Sequence, residues 1–243
     1  MIGNAFSATI YDPLYNGLIF LVGHVPGYDV GIAVVILTII VRFLLYPLAK
    51  RAVAAQMAMK KIAPEIEELK KLHKDDREKQ ARAIFALYKE RDIHPFSGFL
   101  IVLLQFPILI GLYWVFANGG LPEVDASLLY SFVQAPTSVN MEFLGMINMS
   151  ERSILLAFLA GITQFIYTRL SMGPPATKDP SPVESSLSDD MAKSFDLQAR
   201  YVLPVMIGGI AFSIASAAPL YWTISNLFMI AQEYISGKRF NFK

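Results

Sequence analysis

The sequence predicts an all-α polytopic membrane protein with five transmembrane helices, a cytoplasmic helical hairpin and an N-terminal interfacial amphipathic helix. Hydrophobic residues make up 54% of its 243 residues, above the share typical of soluble domains. Several apolar runs reach the length of about 20 residues that crosses a bilayer as a helix. These runs are continuous and do not alternate with period two, so a membrane β-barrel is not favoured.

Residues 1–30 predict an amphipathic helix that lies in the outer membrane interface. The segment contains no Lys or Arg, so it lacks the positive region of a secretory signal. It is too short and too polar to span the membrane, which favours a surface position. A disordered leader is the alternative. The apolar residues that recur at helical spacing are Phe6, Ile10, Leu14, Leu18 and Leu21.

The apolar runs and the polar segments between them predict the order of the elements. Pro, Ser and Asp dominate the segment that follows the third run, which is typical of a flexible linker. The predicted order is span one at 31–48, hairpin at 49–95, span two at 96–117, extracytoplasmic loop at 118–152, span three at 153–170 and linker at 171–200.

The last apolar stretch, residues 201–235, is too long for one upright span. Pro219 lies near its middle, in "SAAPLYW". We therefore predict a tight turn at Ala217-Ala218-Pro219 that separates span four, 201–217, from span five, 219–235. A short cytoplasmic tail follows at 236–243. The alternative is one helix kinked at Pro219.

Basic residues predict the orientation, because cytoplasmic loops carry an excess of Lys and Arg. The loop at 118–151 has none, and the tail carries Lys238, Arg239 and Lys243. The N-terminus should therefore be outside, and the hairpin, linker and C-terminus in the cytoplasm. An odd number of spans agrees with this orientation. The hairpin region contributes Lys50, Arg51, Lys60, Lys61, Lys70, Lys71, Lys74, Arg77, Lys79, Arg82, Lys89 and Arg91.

The charged segment at 49–95 predicts two antiparallel helices. Pro64 suits the first turn of a restarted helix, where its missing N–H would be unpaired in any case. Asp75 or Asp76 can cap the second helix. A solvated connector without a partner is the alternative. The apolar residues at helical spacing are Val53, Met57, Ile62, Ile66, Leu69, Leu72, Ala81, Ile84, Phe85 and Tyr88.

Arg42 stands inside the apolar run "ILTIIVRFLLYPL", residues 36–48. An arginine at the centre of a span costs about 2.5–3.5 kcal/mol on insertion scales. Snorkelling towards the cytoplasmic headgroups is one alternative. Polar residues in the other spans favour a water-filled groove open to the cytoplasm, and the nearest intramembrane carboxylate is Glu233. These polar residues are Thr38, Gln105, Thr163, Gln164, Thr168, Tyr221, Trp222, Thr223, Ser225 and Asn226.

A cation in a partly desolvated cleft attracts polar and acidic peptide and reduces the desolvation penalty of that peptide. The apolar segments 99–116 and 201–217 could then pass a hydrophobic segment sideways into lipid. Proline and glycine within both segments permit bent and closely packed helices.

Catalytic signatures are missing from the sequence. Its three His residues form no H-E-x-x-H, and neither a G-x-S-x-G elbow nor a nucleotide-binding glycine loop occurs. The absence of Cys excludes disulfides and thiolate sites. We therefore expect a protein that is not an enzyme, with no catalytic residue, no metal site and no cofactor.

Four pieces of the chain together resemble the YidC/Oxa-type membrane protein insertases. The resemblance extends from about residue 11 to residue 240 and includes the order and spacing of the pieces. They are "ILTIIVRFLLYPLAKRA" at 36–52, "IAPEIEELKKLHKDD" at 62–76, "HPFSGFLIVLLQFPILIGLYWVF" at 94–116 and "LYWTISNLFMIAQ" at 220–232.

The resemblance implies that the chain inserts hydrophobic segments into membranes without nucleotide hydrolysis. Arg42 matches the groove arginine of the family, and Thr38 matches the polar position one turn earlier. Gln105 matches the glutamine of the family's Q-x-P pattern. Gln164, Tyr221 and Trp222 fall where the family has further groove residues. The implied substrate slide, on spans two and four, contains Leu103, Phe106, Pro107, Ile110, Met206 and Ile210.

The resemblance also implies partners and a location. The clients are nascent membrane proteins, and the hairpin would engage the ribosome, signal recognition particle components or the Sec translocon. No direct DNA binding is expected. A large extracytoplasmic domain, a lipoprotein signal and a long basic tail are not found, which favours a compact bacterial version in the cytoplasmic membrane. The hairpin residues proposed for partner binding are Lys60, Lys61, Lys70, Lys71, Lys74 and Arg77.

Two other functions remain open from the residues alone. Arg42 could serve as the anion site of a small transporter or channel, although no inverted repeat of interrupted spans is visible. The chain could also be an assembly factor that holds membrane subunits together without inserting them.

Overall fold

The computed structural model describes residues 4–74, 76–93, 97–118, 121–172, 194 and 196–237, and these residues are mostly helical. Two compact units are distinguished. One consists of Met1–Arg42 and Leu109–Lys243, and the other of Phe43–Ile108. The first unit is called the helical body below, and the second is called the arm.

The N-terminal segment is helical and packs within the helical body. Helix α1 (Asn4–Phe6) continues through a π-helical turn (Ser7–Tyr11) into α2 (Asp12–Val22). The predicted apolar face is shifted, because the buried side chains of α2 include Tyr15, Ile19 and Val22 whereas Leu21 is only half-buried. A Cβ on Gly111 would lie 2.8 Å from Leu14 Cδ1, so α2 is in close contact with residues that follow the arm.

Helix α3 (Val30–Lys61) is 32 residues long and contains Pro47 in its interior. Span one was predicted to end at residue 48, and the helix continues beyond that residue to Lys61, into the segment predicted as the hairpin. Proline removes one backbone hydrogen bond, but strong helix formers such as Ala49, Ala52 and Met59 continue the helix beyond it. A turn at Ile62 ends α3, and α4 (Ala63–Leu72) begins with Pro64 in its first turn, as predicted.

The arm contains α4 and α5 (Arg77–Glu90), which run antiparallel. Gln80 Nε2 donates to the Lys70 carbonyl at 3.0 Å, and Arg91 Nη2 lies 2.8 Å from Glu65 Oε2. Asp76 caps α5 by accepting a hydrogen bond from the Lys79 amide at 3.0 Å, as predicted for this pair of aspartates; Asp75 lies outside the described residues. The buried core consists of Ile62, Leu87 and Ile93.

Helix α6 (Ser97–Asn118) contains Pro107 in its interior. Among the described residues, two helices are long and apolar enough to cross a membrane by length and composition, Val30–Met59 and Ile154–Met172. The apolar segment Gln105–Ala117 of α6 is shorter. The two long segments agree with predicted spans one and three in position, except that the first extends further.

The segment between α6 and α7 is folded onto the ends of the helices. Strands β1 (Glu142–Phe143) and β2 (Ile147–Asn148) form an antiparallel hairpin. Asn16 on α2 donates to the Leu128 carbonyl and accepts from the Tyr130 amide. Tyr15 Oη accepts from the Asp125 amide at 2.9 Å. These contacts give the predicted extracytoplasmic loop a defined structure.

Helices α7 (Ile154–Met172), α8 (Leu203–Ser213) and α9 (Ala217–Ile235) pack together in the helical body. A π-helical turn (Gln198–Val202) precedes α8. Gly161 on α7 meets Gly208 on α8, since a Cβ on Gly161 would lie 3.4 Å from the Gly208 Cα. Such small residues allow two helix backbones to approach closely in a membrane.

The split between α8 and α9 falls slightly before the predicted turn. Ile214 is extended (φ −119°, ψ 166°), and α9 already begins at Ala217. Pro219 therefore occupies the first turn of α9, where its missing N–H leaves no intrahelical bond unmade. The predicted turn at 217–219 is wrong by about one helical turn, and the single kinked helix is excluded.

Candidate functional site

Arg42 lies in a buried polar cluster formed by three helices of the body. Its side chain is 6% exposed and interacts electrostatically with Tyr221 on α9 and Tyr167 on α7. Thr38, one turn earlier on α3, is also buried. The structure therefore brings Arg42, Thr38 and Tyr221 together as buried polar residues of one unit. Arg42 is therefore almost completely covered by the surrounding described residues.

The threonine hydroxyls around this region bond to their own helices. Thr38 Oγ1 donates to the Val34 carbonyl at 2.6 Å, Thr163 Oγ1 to Leu159 at 2.7 Å and Thr223 Oγ1 to Pro219 at 2.9 Å. Such i to i−4 bonds satisfy a hydroxyl in a site from which water is excluded. Each threonine thereby keeps an oxygen lone pair that can accept a further hydrogen bond.

A polar contact joins α7 and α9 at the centre of the body. Asn226 Nδ2 donates to Thr163 Oγ1 at 3.3 Å, and both residues are buried. Asn226 Oδ1 and Ser225 Oγ are buried without a hydrogen-bond partner. Unsatisfied buried polar atoms are costly and are typical of functional sites or of internal water positions.

Glutamine and tryptophan residues predicted for the site occupy three different environments. Gln164 is buried and donates from Nε2 to Thr168 Oγ1 at 3.2 Å. Trp222 packs against the buried alanines Ala157, Ala160 and Ala211, so its described contacts are apolar. Gln105 is half-buried and belongs to the arm, which is described by itself.

Sequence reasoning did not select Tyr167. It named Glu233 only as the nearest intramembrane carboxylate and gave it no role in the polar cluster. Glu233 on α9 is 2% exposed, and Tyr167 interacts electrostatically with both Glu233 and Arg42. The helical body thus buries a carboxylate as well as a guanidinium within reach of one tyrosine. Sequence spacing indicated only that Glu233 comes late in its helix. The sequence contained one indication of its position on the helix. Glu233 follows Tyr221 by twelve residues, or more than three helical turns.

Four of the apolar residues predicted for the slide are exposed. Phe106, Ile110, Met206 and Ile210 are among the exposed large hydrophobic residues, and Pro107 is half-buried. The side chain of Leu103 lies outside the described part. Exposed apolar side chains on helices of this composition suit contact with lipid or with an apolar segment.

The cationic residues predicted for partner binding lie mostly on the surface of the arm. Lys61, Lys71, Lys74 and Arg77 are exposed, and the side chain of Lys60 is not described. Lys70 is half-buried and lies 3.3 Å from Glu67 Oε1. Within the described ranges, no group of three or more His, Asp or Glu residues could hold a metal ion.

Comparison with known proteins identifies relatives along most of the chain. The family model described as "60Kd inner membrane protein" matches residues 21–243. "Membrane protein insertase YidC" of Clostridium tetani is 30% identical over 213 residues, which are 88% of this chain and 84% of that relative.

Relatives of the same name from two other bacteria are longer. The protein of Magnetococcus marinus is 30% identical over 230 residues, 94% of this chain and 35% of the relative. That of Haemophilus influenzae is 27% identical over 226 residues, 93% of this chain and 36% of the relative. This chain therefore spans about a third of the length of these two relatives. The match to the family model over nearly the whole chain shows that the chain belongs to the YidC/Oxa-type membrane protein insertase family, whose members are not enzymes.

Proposed function

We propose that this chain accepts hydrophobic segments of nascent membrane proteins at the polar cluster around Arg42 and releases them sideways into the lipid bilayer. Membership of an insertase family supports the activity. The observation that carries the mechanism is the position of Arg42, buried beside Tyr167 and Tyr221 inside apolar helices. A charge at this depth is costly, and it is therefore a functional residue by default.

The first step is entry of the client into an opened cluster. Arg42 is 6% exposed in the closed form, so the helices must separate enough for water and peptide to reach it. The guanidinium then attracts the polar or acidic part of the client that must cross the membrane. Because this attraction acts in a site of low dielectric, it is stronger than it would be in water. The groove is open to the cytoplasm in this state.

The second step is sideways release along the apolar residues of the slide. Ile110, Met206 and Ile210 of the body are exposed, and Leu103, Phe106 and Pro107 complete the proposed set. Each Leu, Ile, Phe or Val of the client contributes about −0.3 to −0.6 kcal/mol at the centre of a span. A client span of about 20 such residues releases several kcal/mol. This energy replaces nucleotide hydrolysis and favours clients with short, weakly charged translocated tails.

The proposed topology has five spans, with the N-terminus outside and the C-terminus in the cytoplasm. The charge distribution supports it, since residues 50–95 are rich in Lys and Arg and residues 118–151 contain none. The arm residues 49–95 and the linker 171–200 are then cytoplasmic. The folded segment around β1 and β2 faces the opposite side, where the helical ends of α3, α7 and α9 meet it.

The arm is proposed to engage the machinery that delivers the client. Its exposed cations Lys61, Lys71, Lys74 and Arg77 suit the acidic surfaces of a ribosome or of a targeting factor. The Sec translocon is a further proposed partner. Such contacts should weaken as salt concentration rises, because surface charges are screened.

Site-specific crosslinking to a ribosome-bound nascent membrane protein tests the path of the client. Photoreactive residues at Thr38, Ile110 and Met206 should crosslink to the hydrophobic segment of the client. A probe at Phe158, an exposed apolar residue of α7 outside the proposed path, is the matched control. Equal crosslinking from Phe158 and Met206 would contradict the path.

Arg42→Ala and Arg42→Lys variants in reconstituted vesicles test the electrostatic step. Arg42→Ala should slow insertion of a client with an acidic tail more than that of the same client with a neutral tail. Arg42→Lys keeps the charge and should retain most of the difference. Wild-type insertion of the acidic client by Arg42→Ala would refute this step. Solute flux through the same vesicles, if it required Arg42, would favour an anion transporter.

A further inference from the structure

The turn of the β1–β2 hairpin, residues 143–146, exposes two large apolar side chains. Leu144 is 58% exposed and Met146 is 74% exposed. The turn is closed by hydrogen bonds from the Gly145 amide to the Glu142 carbonyl and from the Met146 amide to the Phe143 carbonyl. Two exposed apolar residues at a tight turn are unusual, because turns that face water favour Asn, Asp and Gly.

The backbone conformation of this turn is unfavourable for a leucine. Leu144 and Gly145 both have positive φ, 52° and 70°. The left-handed region is uncommon for a non-glycine residue and disfavours a bulky one, whereas Asn or Gly adopts it readily. Leucine at this position therefore costs backbone energy that asparagine would avoid. A strained residue that persists in a structure points to a use for its side chain.

The turn is fixed to the start of α3. The Leu144 amide donates to Asp29 Oδ2 at 2.8 Å, while Asp29 Oδ1 accepts from the Ile32 amide at 2.9 Å. One buried carboxylate thus caps α3 and holds the turn. A Cβ on Gly31 would lie 2.3 Å from the Phe143 ring, so this ring packs directly on the first turn of α3.

The residues that follow β2 are hydrogen-bonded to the start of α9. The Ala217 amide donates to the Met149 carbonyl at 3.2 Å, and the Ser216 amide donates to the Glu151 carbonyl at 2.7 Å. Helix α7 begins three residues later at Ile154, which is 74% exposed. The hairpin therefore lies at the level at which these apolar helices begin. In a membrane protein, a spanning apolar helix begins near the boundary between headgroups and hydrocarbon.

We propose that the hairpin turn is a membrane-interface anchor that inserts Leu144 and Met146 into the lipid leaflet beside the start of α3. The binding partner is the phospholipid surface itself. Arg152, at the end of the segment, is the one cation of residues 118–152, so contact is made by apolar insertion and does not need anionic headgroups. Glu142 and Asn148, joined by a hydrogen bond of 3.0 Å, remain on the aqueous side of the turn. The anchor sets the depth of α3, and hence of Arg42, in the membrane.

The chain has no Cys, so single-cysteine variants can be spin-labelled without a background. Leu144→Cys and Met146→Cys proteins are labelled, reconstituted into vesicles of zwitterionic phospholipid, and measured for collision with oxygen and with a water-soluble nickel chelate. Ile154→Cys is the apolar reference at the start of α7, and Ser138→Cys, an exposed polar position in the same folded segment, is the aqueous reference. Thermal unfolding in detergent confirms that each labelled protein is folded.

Both turn positions should show an oxygen-to-nickel collision ratio several-fold above that of Ser138→Cys and close to that of Ile154→Cys. The ratio should not change when anionic lipid is added. A ratio equal to that of Ser138→Cys at both positions would overturn the proposal. Low collision with both reagents would also overturn it, because the turn would then be covered by protein. Repeating the collision measurement at a lower protein-to-lipid ratio would show whether a second copy of the chain covers the turn.

Discussion

Asn226 on α9 donates a hydrogen bond of 3.3 Å to Thr163 on α7, and Thr163 in turn donates to the Leu159 carbonyl at 2.7 Å. Both side chains are buried at the junction of two apolar helices. This contact and the buried Ser225 form the polar layer between α7 and α9. Tyr167 and Tyr221, which interact with Arg42, lie on the same two helices. The free energy of the Asn226–Thr163 hydrogen bond determines whether the polar layer holds α7 and α9 together or allows them to separate.

We expect the Asn226–Thr163 contact to be weak. Hydrogen bonds between membrane helices average about 0.6 kcal/mol in double-mutant cycles, and few exceed about 1.7 kcal/mol. Asn226→Ala, Thr163→Ala and the double variant should give a coupling free energy near the lower value. Reversible unfolding in detergent measures it. Thr163→Ser retains the acceptor and should preserve the coupling; a coupling well above the higher value would mean that the layer locks the helices.

The contact between Gly31 and Phe143 should tolerate no added methyl group. A Cβ on Gly31 would meet the Phe143 Cβ and Cγ at 2.5 Å, so Gly31→Ala forces the ring or the helix to move. Overpacking of this kind costs about 1–3 kcal/mol of unfolding free energy. Chemical unfolding in detergent measures the loss.

Two controls accompany the Gly31 substitution. Gly209 lies in α8 with nothing within 4 Å of its Cβ position, so Gly209→Ala should be neutral or stabilising by up to about 1 kcal/mol. In the background of Phe143→Gly, which removes the ring and its Cβ, Gly31→Ala should become nearly harmless. If the cost stays the same in that background, the ring is not its source.

Glu233→Gln tests whether the buried carboxylate balances Arg42. Both residues are buried in the helical body, and Tyr167 interacts with each of them. Loss of the interaction between Glu233 and Tyr167 should cost about 0.5–3 kcal/mol of unfolding free energy, the usual range for a single destabilising substitution. We expect lower stability in detergent, together with a higher ratio of acidic-tailed to neutral-tailed client insertion in vesicles.

Two variants separate charge balance from packing at this position. Glu233→Asp keeps the charge and should retain the wild-type client ratio even if it loses stability. Glu123→Gln removes an exposed carboxylate and should change neither quantity. An unchanged client ratio in Glu233→Gln would show that Glu233 does not act on the electrostatics of Arg42.

The cap of α5 should make the arm sensitive to acid. The hydrogen bond from the Lys79 backbone amide holds the pKa of Asp76 below its ordinary value of 3.8. A carboxylate whose folded-state pKa is depressed stabilises the fold above its unfolded pKa, and this contribution is lost as the pH falls through the folded-state pKa. The first turn of α5 should therefore fray as the pH falls below 3.8.

Hydrogen exchange at the Lys79 amide of the full chain in lipid nanodiscs measures this fraying. After correction for the intrinsic exchange rate, protection should fall in acid for the wild type. Asp76→Asn retains a capping oxygen without a titrating group, so its protection should be independent of pH in this range. Equal acid sensitivity in the two proteins would assign the effect to other groups.

The sequence predicted helices correctly where the residues of the segment itself determine its conformation. Apolar runs of about the length of a bilayer-spanning helix predicted α7 and the part of α3 up to residue 48, and the residues Pro64 and Asp76 predicted where α4 and α5 begin. Local chemistry did not predict that α3 continues through Pro47 to Lys61, or that the break before α9 lies at residues 214–216. A proline can end a helix or lie inside it, and the choice depends on the packing and hydrogen bonding of neighbouring segments, which a sequence pattern does not contain.

The candidate site was also predictable only in part from the sequence. Periodicity and polarity selected Arg42, Thr38 and Tyr221, and these residues are buried in one unit. The sequence did not reveal that Arg42 is 6% exposed, since burial depends on which helices cover it. Nor did spacing along α9 connect Glu233 to Arg42, because that relationship passes through Tyr167 on another helix.

By itself the sequence determined the membrane class, the apolar helices and the rare cation among them, because the cost of placing charge and free backbone groups in hydrocarbon constrains composition directly. Only the tertiary structure decided how the polar side chains meet and that the Leu144 turn is held at the start of α3 by Asp29. The hydrogen bonds of those relationships join residues 63 to 115 positions apart, and they arise from packing between segments that no local pattern encodes.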